Sequence, residues 1–245
     1  MPQKQQRPIR GLLIIGGDGT GKTTLLQRSV LRLISDDAEL GVVYVGEEDS
    51  CLSLRALIDP CYLLSDAAPP EDAARRGGVK TVVIPRDPAA RADAWDQLGR
   101  ALDRARASAG AERLAVALDD VGRFLPSYES KVLTRKLSRA AAADPDLRVL
   151  ATFTSFAELT AGFREEGAGL LLRVEGKVLL RNSGDERADA ILHALTGRRA
   201  HQLEVGEAVF ISHRLDTFSA VAPAATLHHL AEQSVASHPA RPRQL

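Results

Sequence analysis

One octapeptide constrains this chain more than any other feature. Gly16-Gly-Asp-Gly-Thr-Gly-Lys-Thr23 follows a continuous apolar run, Gly11-Leu-Leu-Ile-Ile15, and opens a stretch, Thr23 to Ile34, with helical spacing at Leu25, Leu26, Val30 and Leu33. The apolar run predicts a strand buried on both faces. A strand that enters a glycine-rich turn and leaves it as a helix is the setting in which G-x-x-x-x-G-K-[ST] has physical meaning. Glycines let successive backbone N–H groups curl around phosphate oxygens, and the helix N-terminus adds a favourable dipole. The pattern predicts an ATP site built from Gly17, Asp18, Gly19, Thr20, Gly21, Lys22, Thr23 and Thr24. Lys22 is expected to reach the β- and γ-phosphates, and the Thr23 hydroxyl to hold Mg2+.

Further apolar runs predict strands at Val42–Val45, Thr81–Ile84, Leu114–Leu118 and Leu147–Phe153, with helices between them, clearest at Asp93–Ala109 and Ser130–Ala143. Strands alternating with helices imply an α/β fold with an open, mainly parallel sheet flanked by helices. Asp66 to Gly78, with its Ala-Ala-Pro-Pro and Arg-Arg-Gly-Gly stretches, reads as an exposed loop. Beyond residue 170 the pattern changes. Leu170–Val174 and Lys177–Arg181 are expected to form a hairpin across Glu175-Gly176, followed by a helix over Glu186–Leu195 that stops at Gly197. Two C-terminal strands, Ala208–Ser212 and Thr217–Val221, complete the domain, and a helix is expected around Thr226–Val235. The expected organisation is a flexible lead over 1–10, an ATPase domain over 11–223, and a C-terminal helix with a basic tail over 224–245.

Leu114-Ala-Val-Ala-Leu-Asp-Asp120 is an apolar strand ending in paired acids. About one hundred residues past a phosphate loop, that pattern suits a Walker B element. Asp119 is expected to serve the Mg2+ shell, and Asp120 to polarise the attacking water. The next predicted strand ends Ala151-Thr-Phe-Thr-Ser155; Thr154 and Thr152 share a face, and Thr154 is taken as the residue that senses the terminal phosphate or the water. Ring-forming ATPases often complete the site from a neighbour. Arg135 and Arg139, four apart on one helix face, are the candidate arginine finger, with Arg123, Arg148 and Arg164 competing.

Composition narrows the class without naming the partner. The 245 residues carry 32 basic and 32 acidic side chains. A dedicated DNA-binding domain usually has a basic excess, so any DNA contact here needs a local patch or a ring of subunits. No run approaches the roughly 18 apolar residues that span a bilayer, and the N-terminus lacks an apolar signal stretch, which predicts a cytosolic protein without a membrane segment. Cys51, Cys61 and Trp95 read as core or partial core, and Asp36-Asp37 and Glu47-Glu-Asp49 as solvated turns.

Two resemblances enter at this point. The loop Gly16 to Thr24 is similar to that of thymidylate kinases, D-G-x-G-K-T-T, but the kinases' Asp-Arg motif and Arg-rich lid do not follow where expected. The wider chain resembles the FtsK/HerA superfamily of DNA translocases, conjugative coupling proteins and viral packaging ATPases. The resemblance rests on the order of three segments: Leu12 to Thr23; Val116-Ala-Leu-Asp-Asp-Val-Gly-Arg-Phe-Leu125 with Val149 to Leu159; and Lys177 to Leu192 with Leu203-Glu-Val-Gly-Glu-Ala-Val-Phe210. It implies a RecA/FtsK-like P-loop fold with C-terminal antiparallel strands. It also implies a homo-oligomeric ring, hexameric in the family, that hydrolyses ATP to move DNA in packaging or transfer. Two departures stand out: the family's Gln near Phe153 or Thr154 is absent, and Asp120 stands where Glu is usual. They leave open a regulatory P-loop ATPase that binds a protein partner and, from the loop alone, a nucleotide kinase. An Ala- and Arg-rich, Lys-poor composition suggests a high-GC prokaryote or its virus.

Overall fold

The computed structural model describes residues 9–85, 87–107, 113–124, 127–144, 146–212 and 219–222. The anticipated helix around Thr226–Val235 and the tail lie outside them, as does most of the N-terminal lead. The strands are β1 (Ile9–Ile15), β2 (Gly41–Gly46), β3 (Gly78–Val83), β4 (Leu114–Leu118), β5 (Arg148–Phe153), β6 (Val174–Leu180), β7 (Ala208–Ser212) and β8 (Ser219–Ala222). They form one sheet in the order β3-β2-β4-β5-β1-β6-β7-β8. The six strands from β3 to β6 are parallel, and β7 and β8 join antiparallel. β5 lies between β1 and β4, so one strand separates the phosphate loop from the acid pair.

Helices α1 (Lys22–Asp36) and α2 (Glu48–Leu57) cover one face. Helices α4 (Pro88–Ala107), α5 (Ser127–Ala143), α6 (Phe156–Leu172) and α7 (Glu186–Thr196) cover the other, joined by Ala73 of the short α3 (Glu71–Arg76). Alternation within β4 shows why the sheet is apolar on both sides: Leu114, Val116 and Leu118 enter one core, Ala115 and Ala117 the other. Each large apolar side chain buried this way contributes about 1.5–3 kcal/mol relative to exposure. Phe153 packs edge-on against Phe163 with ring centroids 5.4 Å apart, fixing the end of β5 against α6.

Three expectations need correction. Leu170–Val174 is not a strand: α6 continues through Leu172, and Val174–Leu180 is a parallel neighbour of β1, so no hairpin forms at Glu175-Gly176. Gly176 instead lets β6 pass close to Leu12 and Phe210, where an added Cβ would approach to 3.0 and 3.1 Å. The presumed loop 66–78 contains α3, whose Ala73 is fully buried. Cys61 is exposed, because the 3-10 turn Pro60–Tyr62, held by the Asp59 carboxylate on the Cys61 N–H, presents it to solvent.

One polar residue ties the C-terminal elements to the rest. Asp185 accepts the Arg187 and Ala188 N–H groups at the start of α7 with one carboxylate oxygen and the Phe156 N–H at the start of α6 with the other.

Candidate nucleotide site

The phosphate loop is suspended between two strand ends. Gly16 N–H donates to the carbonyl of Phe153, the last residue of β5, and Gly17 N–H donates to Arg181 O just past β6. Thr20 closes the loop by donating its hydroxyl to Gly17 O at 2.7 Å. Gly21 opens α1 at φ 94°, a left-handed conformation that costs a non-glycine residue strain. No side chain caps α1 and no acid sits in its first turn, so its N–H groups and dipole face the loop without an internal anion.

Lys22 is buried and its Nζ donates to Gly17 O at 3.1 Å. The same ammonium lies 3.6 Å from Asp120 Oδ2 and 3.7 Å from Asp18 Oδ1. Thr23 donates its hydroxyl to Asp119 Oδ1 at 3.1 Å, which joins loop and acid pair. Asp119 is buried, and each of its oxygens serves two hydroxyls: Oδ1 takes Thr23 and Thr152 (2.8 Å), Oδ2 takes Tyr44 (3.0 Å) and Ser50. The arrangement holds the carboxylate in one orientation with a full hydrogen-bond complement.

Asp120 is held differently. Its N–H donates to Thr152 Oγ1 at 2.8 Å, and its φ of 47° is the only positive value for a non-glycine among the described residues. Asp is one of the few side chains that tolerate that conformation. Burial raises its carboxyl to about 6; Lys22 and Arg123 oppose the rise, while Asp119 and Glu158 add to it. Its Oδ1 is buried and has no hydrogen-bond partner among the described residues. A carboxylate oxygen with spare acceptor capacity beside Lys22 suits the orientation of a water molecule.

A cleft of about 320 Å³ opens over these groups, lined by Thr23, Asp119, Asp120 and Arg123 together with Glu47, Asp49, Ser50 and Ser53 from the start of α2. Glu47 and Asp49, expected only as a solvated turn, thus face the site.

A sequence profile for the AAA ATPase domain matches residues 2–155. The chain belongs to that family. No curated protein matches this ATPase by sequence. Among solved structures, it is similar to the genome packaging NTPase B204 of Sulfolobus turreted icosahedral virus 2 bound to AMPPCP: 10% identity, 87% of this chain and 97% of that one, TM-score 0.57. It is also similar to plasmid coupling protein TrwB with GDPNP, at 12% identity, 91% and 90% coverage and TM-score 0.58. VirB4 of Thermoanaerobacter pseudethanolicus gives 11% identity, 88% and 90% coverage and TM-score 0.55. At identities this low the likeness is one of fold. The fold, ATP binding and ATPase class therefore agree with the reading of the sequence.

Within this ATPase, Thr154 sits at the rim of the site, where its hydroxyl accepts from Arg123 Nη2 at 2.9 Å and its carbonyl accepts from Asn182. Thr152 does not face the cleft; it is fully buried and bridges the two acids. Arg135 and Arg139 share an exposed face of α5, but they lie about 12 and 18 Å along the axis from its first residue, Ser127. The helix runs from the site edge of the sheet toward the opposite edge, so neither arginine comes to this chain's own loop. Arg148 starts β5 at that opposite edge, and the side chain of Arg164 lies outside the described residues. Tyr44, Ser50 and Glu158 were not anticipated from sequence, although Tyr44, between Val43 and Val45, carries a hydroxyl in an otherwise aliphatic strand.

Proposed function

We propose that this ATPase is a DNA-translocating motor of the packaging or transfer kind, working as a homo-oligomeric ring. The observation that carries the reading is likeness across whole chains: 97% of a genome packaging NTPase aligns, and the sheet carries two antiparallel strands beyond β6. Gly17 to Thr24 would cradle the phosphates, and Lys22 would move from its carboxylate partners to the β- and γ-phosphates. Asp120 would take a water on its unpartnered Oδ1 and align it with the terminal phosphate, while Thr154 would report on that end of the cleft. The hard oxygens of Thr23 and Asp119, already 3.1 Å apart beside the loop, fit Mg2+ in type. Once bound, the ion would supply charge neutralisation at the phosphates. Arg135 and Arg139 are the residues proposed to act on a neighbouring subunit.

Steady-state ATP hydrolysis on size-fractionated protein, with and without double-stranded DNA at low salt, tests the motor. Stimulation by DNA confined to an oligomeric fraction is the expected result. A monomer whose turnover ignores DNA would remove it. The short Asp120 and its raised carboxyl favour a second reading, a slow regulatory ATPase that captures a protein partner in one nucleotide state.

A further inference from the structure

Arg123 stands in the 3-10 turn Val121–Phe124, three residues past Asp120, and reaches back across the mouth of the phosphate loop. Its Nη2 donates to Asp18 Oδ1 and to Thr154 Oγ1, and its Nε lies 3.8 Å from Glu158 Oε1. Asp120 Oδ2 is 4.0 Å away. Glu158 is fixed in turn by accepting the Thr154 N–H. Thr154 and Glu158, on the β5 and α6 side, thus hold the guanidinium from one side, and its front edge meets Asp18 through the same Nη2.

Asp18 is the third residue of the loop and is 73% exposed. Its Oδ1 is shared by two cations, Arg123 and, at 3.7 Å, Lys22. A single anionic oxygen held by a buried lysine and an arginine, on a loop built to bind phosphate, occupies the electrostatic position that a terminal phosphate oxygen would take. The Arg123 guanidinium accordingly holds the Asp18 carboxyl below the usual carboxylate range. When a triphosphate enters, Lys22 turns to the phosphates, the γ-phosphate takes the place of the Asp18 oxygen, and Asp18 is free to swing into solvent. Arg123 remains anchored by Thr154 and Glu158, with its front edge vacated. A guanidinium offers several donors in a rigid fork, so it can keep Thr154 while taking a phosphate oxygen.

We propose that Asp18 is an internal stand-in for the γ-phosphate and that Arg123 senses that phosphate within the same chain. The proposal rests on ATP binding at the loop and is independent of DNA or ring formation. ADP lacks the group that replaces Asp18 and leaves the Asp18–Arg123 pair closed, whereas ATP opens it. The pair would discriminate between the two nucleotides before any neighbouring subunit takes part.

The test is equilibrium binding of ADP and of the non-hydrolysable β,γ-methylene analogue of ATP, with Mg2+, to wild type, Arg123→Gln, Asp18→Asn and the double variant. Arg123→Gln should weaken the triphosphate about tenfold, the scale of one charge-assisted hydrogen bond, and leave ADP within about twofold. Asp18→Asn, at an exposed position that does not threaten folding, should tighten the triphosphate several-fold. In the Asp18→Asn background, Arg123→Gln should still cost triphosphate affinity, which a purely structural Asp18–Arg123 pair would not produce. Equal effects on ADP and triphosphate, or no effect of Arg123→Gln once Asp18 is neutral, would overturn the proposal while leaving ATP binding intact. Failure of wild type to bind either nucleotide would overturn the ATP site itself, and the sensor with it.

Discussion

The phenol of Tyr44 donates to Asp119 Oδ2 at 3.0 Å, joining the middle of β2 to the residue just past β4. Both groups are buried, and Ser50 of α2 meets the same oxygen and the phenol as well, at 2.6 Å from Tyr44 OH. The carboxylate beside the phosphate loop is therefore held at Oδ2 by two hydroxyls, one buried within β2 and one that lines the cleft.

Tyr44→Phe should keep the ring's packing and remove one hydrogen bond to a charged acceptor, which costs about 1.5–3 kcal/mol. Because Ser50 remains on the same oxygen, the lower end of that range is expected. Urea midpoints would measure it, and a loss under about 0.5 kcal/mol would show that the phenol is dispensable to Asp119.

Asp120→Asn should separate stability from activity. The fold raises this carboxyl from 3.8 to about 6, so its charged form is penalised. The cost is absent below about pH 4, grows through the interval up to about pH 6, and is complete above it. Asparagine removes the charge and tolerates the positive φ at least as well. In EDTA without nucleotide at about pH 7, the variant should be more stable by about 2 kcal/mol, a gain that shrinks as pH falls from 6 toward 4. Hydrolysis should stop while ATP remains bound. A variant that is less stable at neutral pH would contradict the assigned environment.

The two cysteines should react at different rates. Cys51 is buried, and burial together with the Asp119 charge pushes its thiol up to about 12; Cys61 is exposed. Since the thiolate is the reactive form, a disulfide reagent should titrate one thiol per native chain quickly and the second only on unfolding. Two fast thiols in the native protein would argue against the α2 packing described above.

Two glycines predict opposite outcomes of the same substitution. At Gly11, with φ 144°, a Cβ would lie 1.8 Å from Val149 O, so Gly11→Ala should cost more than about 3 kcal/mol or prevent folding. At Gly169, within α6, a Cβ meets nothing within 4 Å, and Gly169→Ala should stabilise by up to about 1 kcal/mol. Thermal melts of the pair would check the closeness of β1 and β5 directly.

The parallel sheet, the phosphate loop and the acid pair were legible because each is written locally, in apolar runs and a spaced glycine motif. Tyr44 and Ser50 were not, since they meet Asp119 across 75 and 69 residues and nothing in β2 or α2 alone points to it. The false hairpin arose where Leu170-Leu-Leu172 reads as strand by composition, yet it completes the last turn of a helix whose earlier apolar residues, Phe156, Leu159 and Phe163, share its period. The arginines show the same limit. Spacing of four places Arg135 and Arg139 on one face of α5, but it cannot say which end of the sheet that face approaches, whereas Arg123 reaches the loop through a turn with no periodicity.

The Asp185 carboxylate has a mechanical consequence. It seats the first turns of α6 and α7 at once, and Asn182, three residues earlier, grips the carbonyl of Thr154 at 2.7 Å. The start of α6, the start of α7 and the tip of β5 therefore share one fulcrum. The same short stretch that holds Thr154 also seats an 11-residue helix whose Ala188 and Leu192 are buried in the core against the sheet. A shift of Thr154 at the rim of the cleft would therefore pull on the seat of α7, with Asp185 as the pivot.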